Sequence, residues 1–304
     1  MLEIVFLGTG SGIPSPKRNL ASIWLNYTGE KSETMLWDCA EGTQRQMFLA
    51  KINFMRIDRI FITHWHADHW AGIIGLIQTM NLERRRKPLH VYGPEAERFV
   101  ENILALGYWA PRFKIVPVEV PYEGGEITRI WGTMEFDVFS IPARHTVPSV
   151  MYCLKEKDKI NVDIEAAQKI YGLSQGPLVG KLKEKGKIVF KGKEIRLDNV
   201  AKVKKGLKVV YTGDTQVCEN LYKIAEEADL LIHDSTFEEE RDTVMHASAK
   251  EAGEVAKKVK VKRLVLTHFS RRYTDVKSLE AEAKKNFTDT ISAHDFMKIV
   301  LKKD

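Results

Sequence analysis

Cysteine is scarce in this chain. Three residues among 304 (Cys39, Cys153 and Cys218) make an odd number, lie far apart and form no Cys-x-x-Cys. That excludes a disulfide framework and a cysteine-rich structural zinc site. It fits reduced thiols in a cytoplasmic protein. Long apolar runs are also missing: no stretch approaches the roughly 20 residues that a membrane helix needs, so no membrane partner is expected. Nothing resembling a basic-then-apolar signal peptide precedes Leu2-Glu-Ile-Val-Phe-Leu-Gly-Thr-Gly10. Internal repeats and low-complexity tracts are absent as well. What remains is ordinary globular composition, 44% hydrophobic and 29% charged. The length suits one large domain or two small ones.

The net charge of +6 is unevenly spread. From Lys181 to Lys208, eleven Lys/Arg stand against three acidic residues, a local +8, which leaves −2 for the rest of the chain. A solvated lysine-rich surface would explain the count. So would a patch for a polyanion such as nucleic acid.

Strand-like runs are expected at Leu2–Leu7, Ser22–Leu25, Thr34–Trp37, Arg59–Thr63, Leu89–Tyr92 and Met134–Phe139. Further runs fall at Val150–Leu154, Lys208–Tyr211, Leu230–His233 and Arg263–Thr267. Helical patterns lie between them at Trp70–Glu83, Glu95–Leu106, Cys218–Ala228 and Ala247–Val259. Without a strict alternation of strand and helix, the mixture points to helices layered over sheets, an α/β fold that is not doubly wound. Residues 155–193 are charged, poor in large apolar side chains and punctuated by Gly172-Leu-Ser-Gln-Gly-Pro-Leu-Val-Gly-Lys181. This segment reads as an arm inserted into a single domain spanning 1–304, with a short helix near Asp163–Ile170 and a projecting turn after it.

Four potential metal ligands crowd six residues in Thr63-His-Trp-His-Ala-Asp-His69. The strand that ends before His64 leaves His64 and His66 pointing one way. Asp68 and His69 sit at the turn into the next helix, able to aim at a neighbouring point. Imidazoles and carboxylates are what zinc takes when cysteine is absent. His90 and His294 are isolated and read as ordinary. One turn of chain cannot surround a metal. Three distant candidates share the setting of a polar residue just after an apolar strand: His145, Asp214 and His268. Seven ligands exceed one tetrahedral ion but suit two zinc ions roughly 3.5–4 Å apart.

The pattern His64-x-His66-x-Asp68-His69, followed by His145, Asp214 and His268, resembles the metallo-β-lactamase superfamily. That resemblance implies a four-layer αββα sandwich. It also implies His64, His66 and His145 on one zinc, Asp68, His69 and His268 on the other, and Asp214 between them. Further phrases resemble the ribonuclease Z family of tRNA 3′-processing endonucleases. They are Gly8-Thr-Gly-Ser-Gly-Ile-Pro-Ser-Pro-Lys-Arg-Asn19, Asp38-Cys-Ala-Glu-Gly-Thr-Gln44, His145-Thr-Val-Pro148, Gly176-Pro-Leu-Val-Gly-Lys-Leu182 and Leu231-Ile-His-Asp-Ser-Thr-Phe237. Two phrases depart from the family pattern. Asp234 is a shorter acid than the family's glutamate, and His246-Ala-Ser248 replaces its His-Ser-Thr or His-Met-Thr.

This second resemblance implies a precursor tRNA substrate and a homodimer in which each arm serves the partner's site. It implies phosphate contacts from Lys17 and Arg18, and an exosite arm carrying Gly176, Pro177 and Lys181. Asp68 would orient the attacking water, and His246, outside the ligand set, would donate the leaving group's proton. A small-molecule hydrolase of the same fold, such as a phosphodiesterase or a lactonase-type enzyme, is the competing reading. It explains the metals but leaves the basic arm without a role.

Overall fold

In a computed structural model of the chain, the described residues are 1–106, 110–239 and 245–302. They form two compact units, Met1–Lys155 with Leu207–Asp304, and the inserted Glu156–Gly206.

The larger unit is built on two seven-stranded sheets. The first runs, edge to edge, Lys298–Leu301, Leu2–Gly8, Ser22–Thr28, Ser32–Trp37, Ile57–Phe61, Leu89–Gly93 and Ile115–Glu119. The second runs Thr290–Ser292, Leu264–Thr267, Leu230–Asp234, Lys208–Tyr211, Val150–Glu156, Phe136–Pro142 and Thr128–Gly132. Alternation along each strand sends side chains to opposite faces. In Leu2–Gly8, Ile4 and Phe6 enter the core between the sheets. Val5 and Leu7 pack outward against Met47, Leu76, Ile77 and Val100 of three helices. Across the inner core, Trp37 stacks on Tyr211 at 5.8 Å and Phe61 meets Tyr152 edge-on at 5.5 Å. Outside the second sheet, Leu221, Ile224, Val255 and Leu279 of three further helices complete the outer layer. The architecture is the expected αββα sandwich, and central strands read as continuous apolar runs because both faces are covered.

Some elements differ from the sequence reading. The helix expected at Trp70–Glu83 is two pieces, Ala67–Trp70 and Ile73–Leu82, joined through Gly72. A Cβ at Gly72 would lie 2.0 Å from the Ala40 carbonyl oxygen, so the chain must pass here without one. Strands Ile115–Glu119, Thr128–Gly132, Thr290–Ser292 and Lys298–Leu301 were not expected. They lie at the sheet edges and bury little, so their patterning is weak.

In the inserted unit, Lys159–Val162 pairs antiparallel with Ala201–Lys204. The second of these strands carries the unit to Gly206, past the 193 that composition suggested. The turn expected after Ile170 is instead a helix, Pro177–Lys185, with proline in the opening turn, where its missing N–H costs nothing. Asp163 caps the preceding helix, Ile164–Tyr171, by accepting from Ala166 N at 3.0 Å. Lys191 and Gly192, both at positive φ, turn the hairpin between Lys187–Phe190 and Lys193–Arg196. Val162, Ala167, Leu173, Val179, Leu182, Ile195 and Val200 form a small core of its own. The unit holds thirteen Lys/Arg and seven Asp/Glu, so its net +6 equals that of the whole chain.

Candidate metal centre

Parallel pairing fixes where the functional side chains emerge. Ser32–Trp37 and Ile57–Phe61 run parallel, as do Lys208–Tyr211, Leu230–Asp234 and Leu264–Thr267. Their carboxyl ends deliver Asp38, His64, Asp214, Asp234 and His268, and His145 follows the end of Phe136–Pro142. The two sheets are tied together there. Val150 N donates to Thr63 O at 3.0 Å, and Tyr152 OH donates to Ile62 O at 2.7 Å.

All seven expected ligands come together. His66 Nδ1 stands 3.0 Å from His64 Nε2 and 3.2 Å from His145 Nε2. On the other side, His69 Nε2 and His268 Nε2 are 3.3 Å apart, and Asp68 Oδ2 lies 3.5 Å from His268 Nε2. Asp214 divides its oxygens between the groups. Oδ2 faces His64 Nε2 at 3.6 Å, while Oδ1 faces His268 and His69 at 3.1 and 3.3 Å.

The outward ring nitrogens show why a cation fits. His69 Nδ1 donates to Asp38 Oδ2 at 2.7 Å, and His145 Nδ1 to Met245 O at 2.8 Å. His64 Nδ1 and His268 Nδ1 lie 3.1 and 2.9 Å from Thr63 Oγ1 and Thr236 Oγ1. Those hydroxyls give their own protons to Asp38 and Asp234, so they accept from the rings. With Nδ1 protonated, each Nε2 turns a lone pair inward, the arrangement metal-binding imidazoles use. Asp214 Oδ1 is buried and accepts no well-aligned hydrogen bond. The buried acids favour the charged form of the rings that they face. Against burial, Asp214 and a hydrogen bond to Asp234 raise His268 to about 10, and Asp214 and Asp38 raise His69 well above the ordinary range. This nitrogen and oxygen donor set, converging around buried negative charge, suits divalent metal.

Three supporting residues, Asp38, Thr63 and Thr236, had no role in the sequence reading, and a fourth, Asp234, entered it only as a departure from the family pattern. Asp38 is fully buried and also accepts from Thr63 N at 2.8 Å and from Tyr211 OH at 2.8 Å. It adopts φ 56°, and His268 φ 62°, left-handed conformations held by their surroundings. Thr63 and Thr236 are the hydroxyl relays. Asp234 accepts from His246 Nδ1 at 2.9 Å, so the shorter acid still reaches its histidine. Burial lowers the His246 pKa, but Asp234 outweighs it and the net shift is upward. A signal existed for both acids: each follows an apolar strand, the setting that singled out Asp214.

The expected substrate-binding residues fall in two places. Lys17 and Arg18 line a pocket of about 350 Å³ with Arg271, Tyr273 and Phe269. Arg18 is engaged by the protein itself, donating to Thr9 Oγ1 at 3.0 Å and Ala293 O at 3.2 Å over the Phe269 ring. The backbone of that loop reaches the centre, where Gly12 N donates to Asp68 Oδ2 at 2.7 Å. Gly176, Pro177 and Lys181 are exposed on the inserted unit, at and just inside the start of its second helix. His90 and His294 join none of the donor groups among the described residues.

Fold and donor groups together place the chain in the metallo-β-lactamase class. A "Beta-lactamase superfamily domain" model matches residues 199–269, and an "Anti-Pycsar protein Apyc1" model matches 2–116. Ribonuclease Z of Thermococcus onnurineus is 46% identical over 278 residues, covering 90% of this chain and 86% of that protein. The Archaeoglobus fulgidus ribonuclease Z is 43% identical over 306 residues, covering 98% and 97%. The crystal structure of human tRNase Z, short form, superimposes with TM-score 0.68 at 27% identity, covering 99% of this chain and all of that one. The chain belongs to the ribonuclease Z family.

Proposed function

We propose that the protein is a zinc-dependent endoribonuclease that cuts precursor tRNA at the start of its 3′ trailer. The carrying observation is the pair of donor groups sharing Asp214, in a chain 40–46% identical to ribonuclease Z proteins over most of its length. His64, His66 and His145 would hold one ion, Asp68, His69 and His268 the other, with Asp214 between. Two zinc ions would supply Lewis-acid charge and a nucleophile at neutral pH.

The chain's own groups do the rest. Asp68, steadied by the Gly12 N–H, orients the attacking water and accepts its proton. The water oxygen bonds to phosphorus as the bond to the 3′-oxygen breaks. His246, held at Nδ1 by Asp234, gives that oxygen a proton. The products are tRNA with a 3′-hydroxyl and a trailer with a 5′-phosphate. Asp38, Thr63 and Thr236 are positioning residues that fix the ring tautomers. Lys17 contacts substrate phosphate, and the +6 inserted unit, with Gly176, Pro177 and Lys181, grips the tRNA body. We further propose a cytoplasmic homodimer. No described helix is long and apolar enough to cross a membrane.

End-labelled precursor tRNA tests the reading. Cleavage should map to the single bond at the trailer junction and require divalent metal. Turnover of bis-p-nitrophenyl phosphate without any cleavage of precursor would favour the small-molecule hydrolase instead.

A further inference from the structure

A second pocket, of about 270 Å³, is lined by Trp65, Glu95, Arg98, Phe99, Val147 and Pro148. Sequence adjacency ties it to one group of donors. Trp65 sits between His64 and His66, and Val147 and Pro148 follow His145 by two and three residues. The Lys17 pocket, by contrast, includes Phe269, next to His268, and belongs to the loop that touches Asp68. Each pocket therefore shares chain segments with a different group of donors, with the Trp65 ring turned to the side opposite His64 and His66, into the cluster that holds Val100 and Ile103.

Their chemistry differs. Trp65 and Phe99 stack 4.5 Å apart at 8°, with Trp65 Nε1 anchored on Pro94 O. Glu95 adopts φ 50° and pairs with Arg98 at 2.9 Å, and the Arg98 guanidinium lies 5.2 Å from the Phe99 ring centre. The ion pair neutralises itself, so this pocket offers no net charge to a phosphate. It offers aromatic and aliphatic walls with one donor and one acceptor, and a volume suited to one planar ring system. Guanidinium and carboxylate groups also hydrogen-bond base edges. Glu95 is a non-glycine residue in the left-handed region, a conformation that recurs where a site must hold its shape.

We propose that this pocket receives the unpaired base of a nucleotide adjoining the scissile phosphate. The proposal rests on the RNA-cleaving reading above. With phosphate contacts at Lys17 and a base seated near Trp65, the strand would be pinned on both sides of the bond to be cut. Base stacking on aromatic side chains tolerates any sequence, which suits trailers that differ from one precursor to the next.

The test uses precursor tRNAs carrying an abasic residue at either of the two nucleotides that flank the cleavage point. For the wild-type enzyme, one abasic substrate should lose about 5- to 150-fold in kcat/KM, the range expected for one stacked base. Phe99→Ala removes a wall, and Val147→Trp fills the space should the first variant fold poorly. In each, the intact substrate should fall towards the abasic one, so that their ratio approaches one. A wild-type enzyme insensitive to both abasic positions would overturn the proposal, as would variants that keep the full ratio. If the wild type does not cut intact precursor at all, the ribonuclease reading fails and the base pocket fails with it.

Discussion

His246 stands outside the seven candidate ligands, with Nδ1 2.9 Å from the buried Asp234 and its side chain 20% exposed. A general acid contributes roughly 10²–10⁴-fold, and most where the leaving oxygen is basic. His246→Ala should slow precursor cleavage by about that factor, yet barely change turnover of a p-nitrophenyl diester, whose phenolate leaves unprotonated. Elemental analysis should find the metal content unchanged. Equal losses on both substrates would make His246 a support for the centre. The cysteines give a second residue-scale outcome. Burial pushes the Cys39 and Cys153 thiols up to about 12, while Cys218 is only half-buried. A thiol reagent at pH 8 should titrate at most one group in the native protein and three after denaturation.

At the scale of elements, the break between Ala67–Trp70 and Ile73–Leu82 brings Asp68 and His69 onto the centre. Gly72 makes it possible by lying against the Ala40 and Cys39 carbonyls, and its own N–H donates to Cys39 O at 2.9 Å. Gly72→Ala forces backbone apart, since the nearest atoms are not flexible side-chain ends. The variant should lose about 1–3 kcal/mol in urea unfolding, the usual range for overpacking. No loss would mean that the turn relaxes freely. The helix Ala249–Lys258 shows a local rule at work: Ser248 and Glu251 form a reciprocal capping box. That cap starts the helix two residues after the expected Ala247 and leaves His246 outside it.

At the scale of the whole molecule, the candidate metal donors and the net positive charge belong to separate units of the chain. Lys155 and Lys208 are cross-strand partners, so Glu156–Leu207 can be replaced by an Asn-Gly turn that closes the hairpin. The shortened protein should bind precursor tRNA weakly and with a shallower salt dependence, having lost the region that carries the net charge. It should still hydrolyse a small phosphodiester. Equal loss on both substrates would make the insertion structural. Elemental analysis of active wild-type protein should find about two zinc ions per chain. One ion or none in active protein would sink the two-metal scheme.

The sequence by itself determined the layered fold class, the strand ends that matter and the clustering of seven candidate ligands. These follow from local chemistry: alternation sets strands, and donors placed just past apolar strands emerge at one sheet edge. Only the tertiary structure decided how Asp214 divides its oxygens, because that depends on strands 150 residues apart in the chain meeting at one point. It also revealed the left-handed turns at Asp38 and His268, a conformation that Asp and His adopt more readily than most residues but that their preference alone does not locate. The edge strands and the Pro177–Lys185 helix were illegible for a related reason. Short elements that bury little leave weak periodicity, and they form because a neighbouring strand or a small local core completes them.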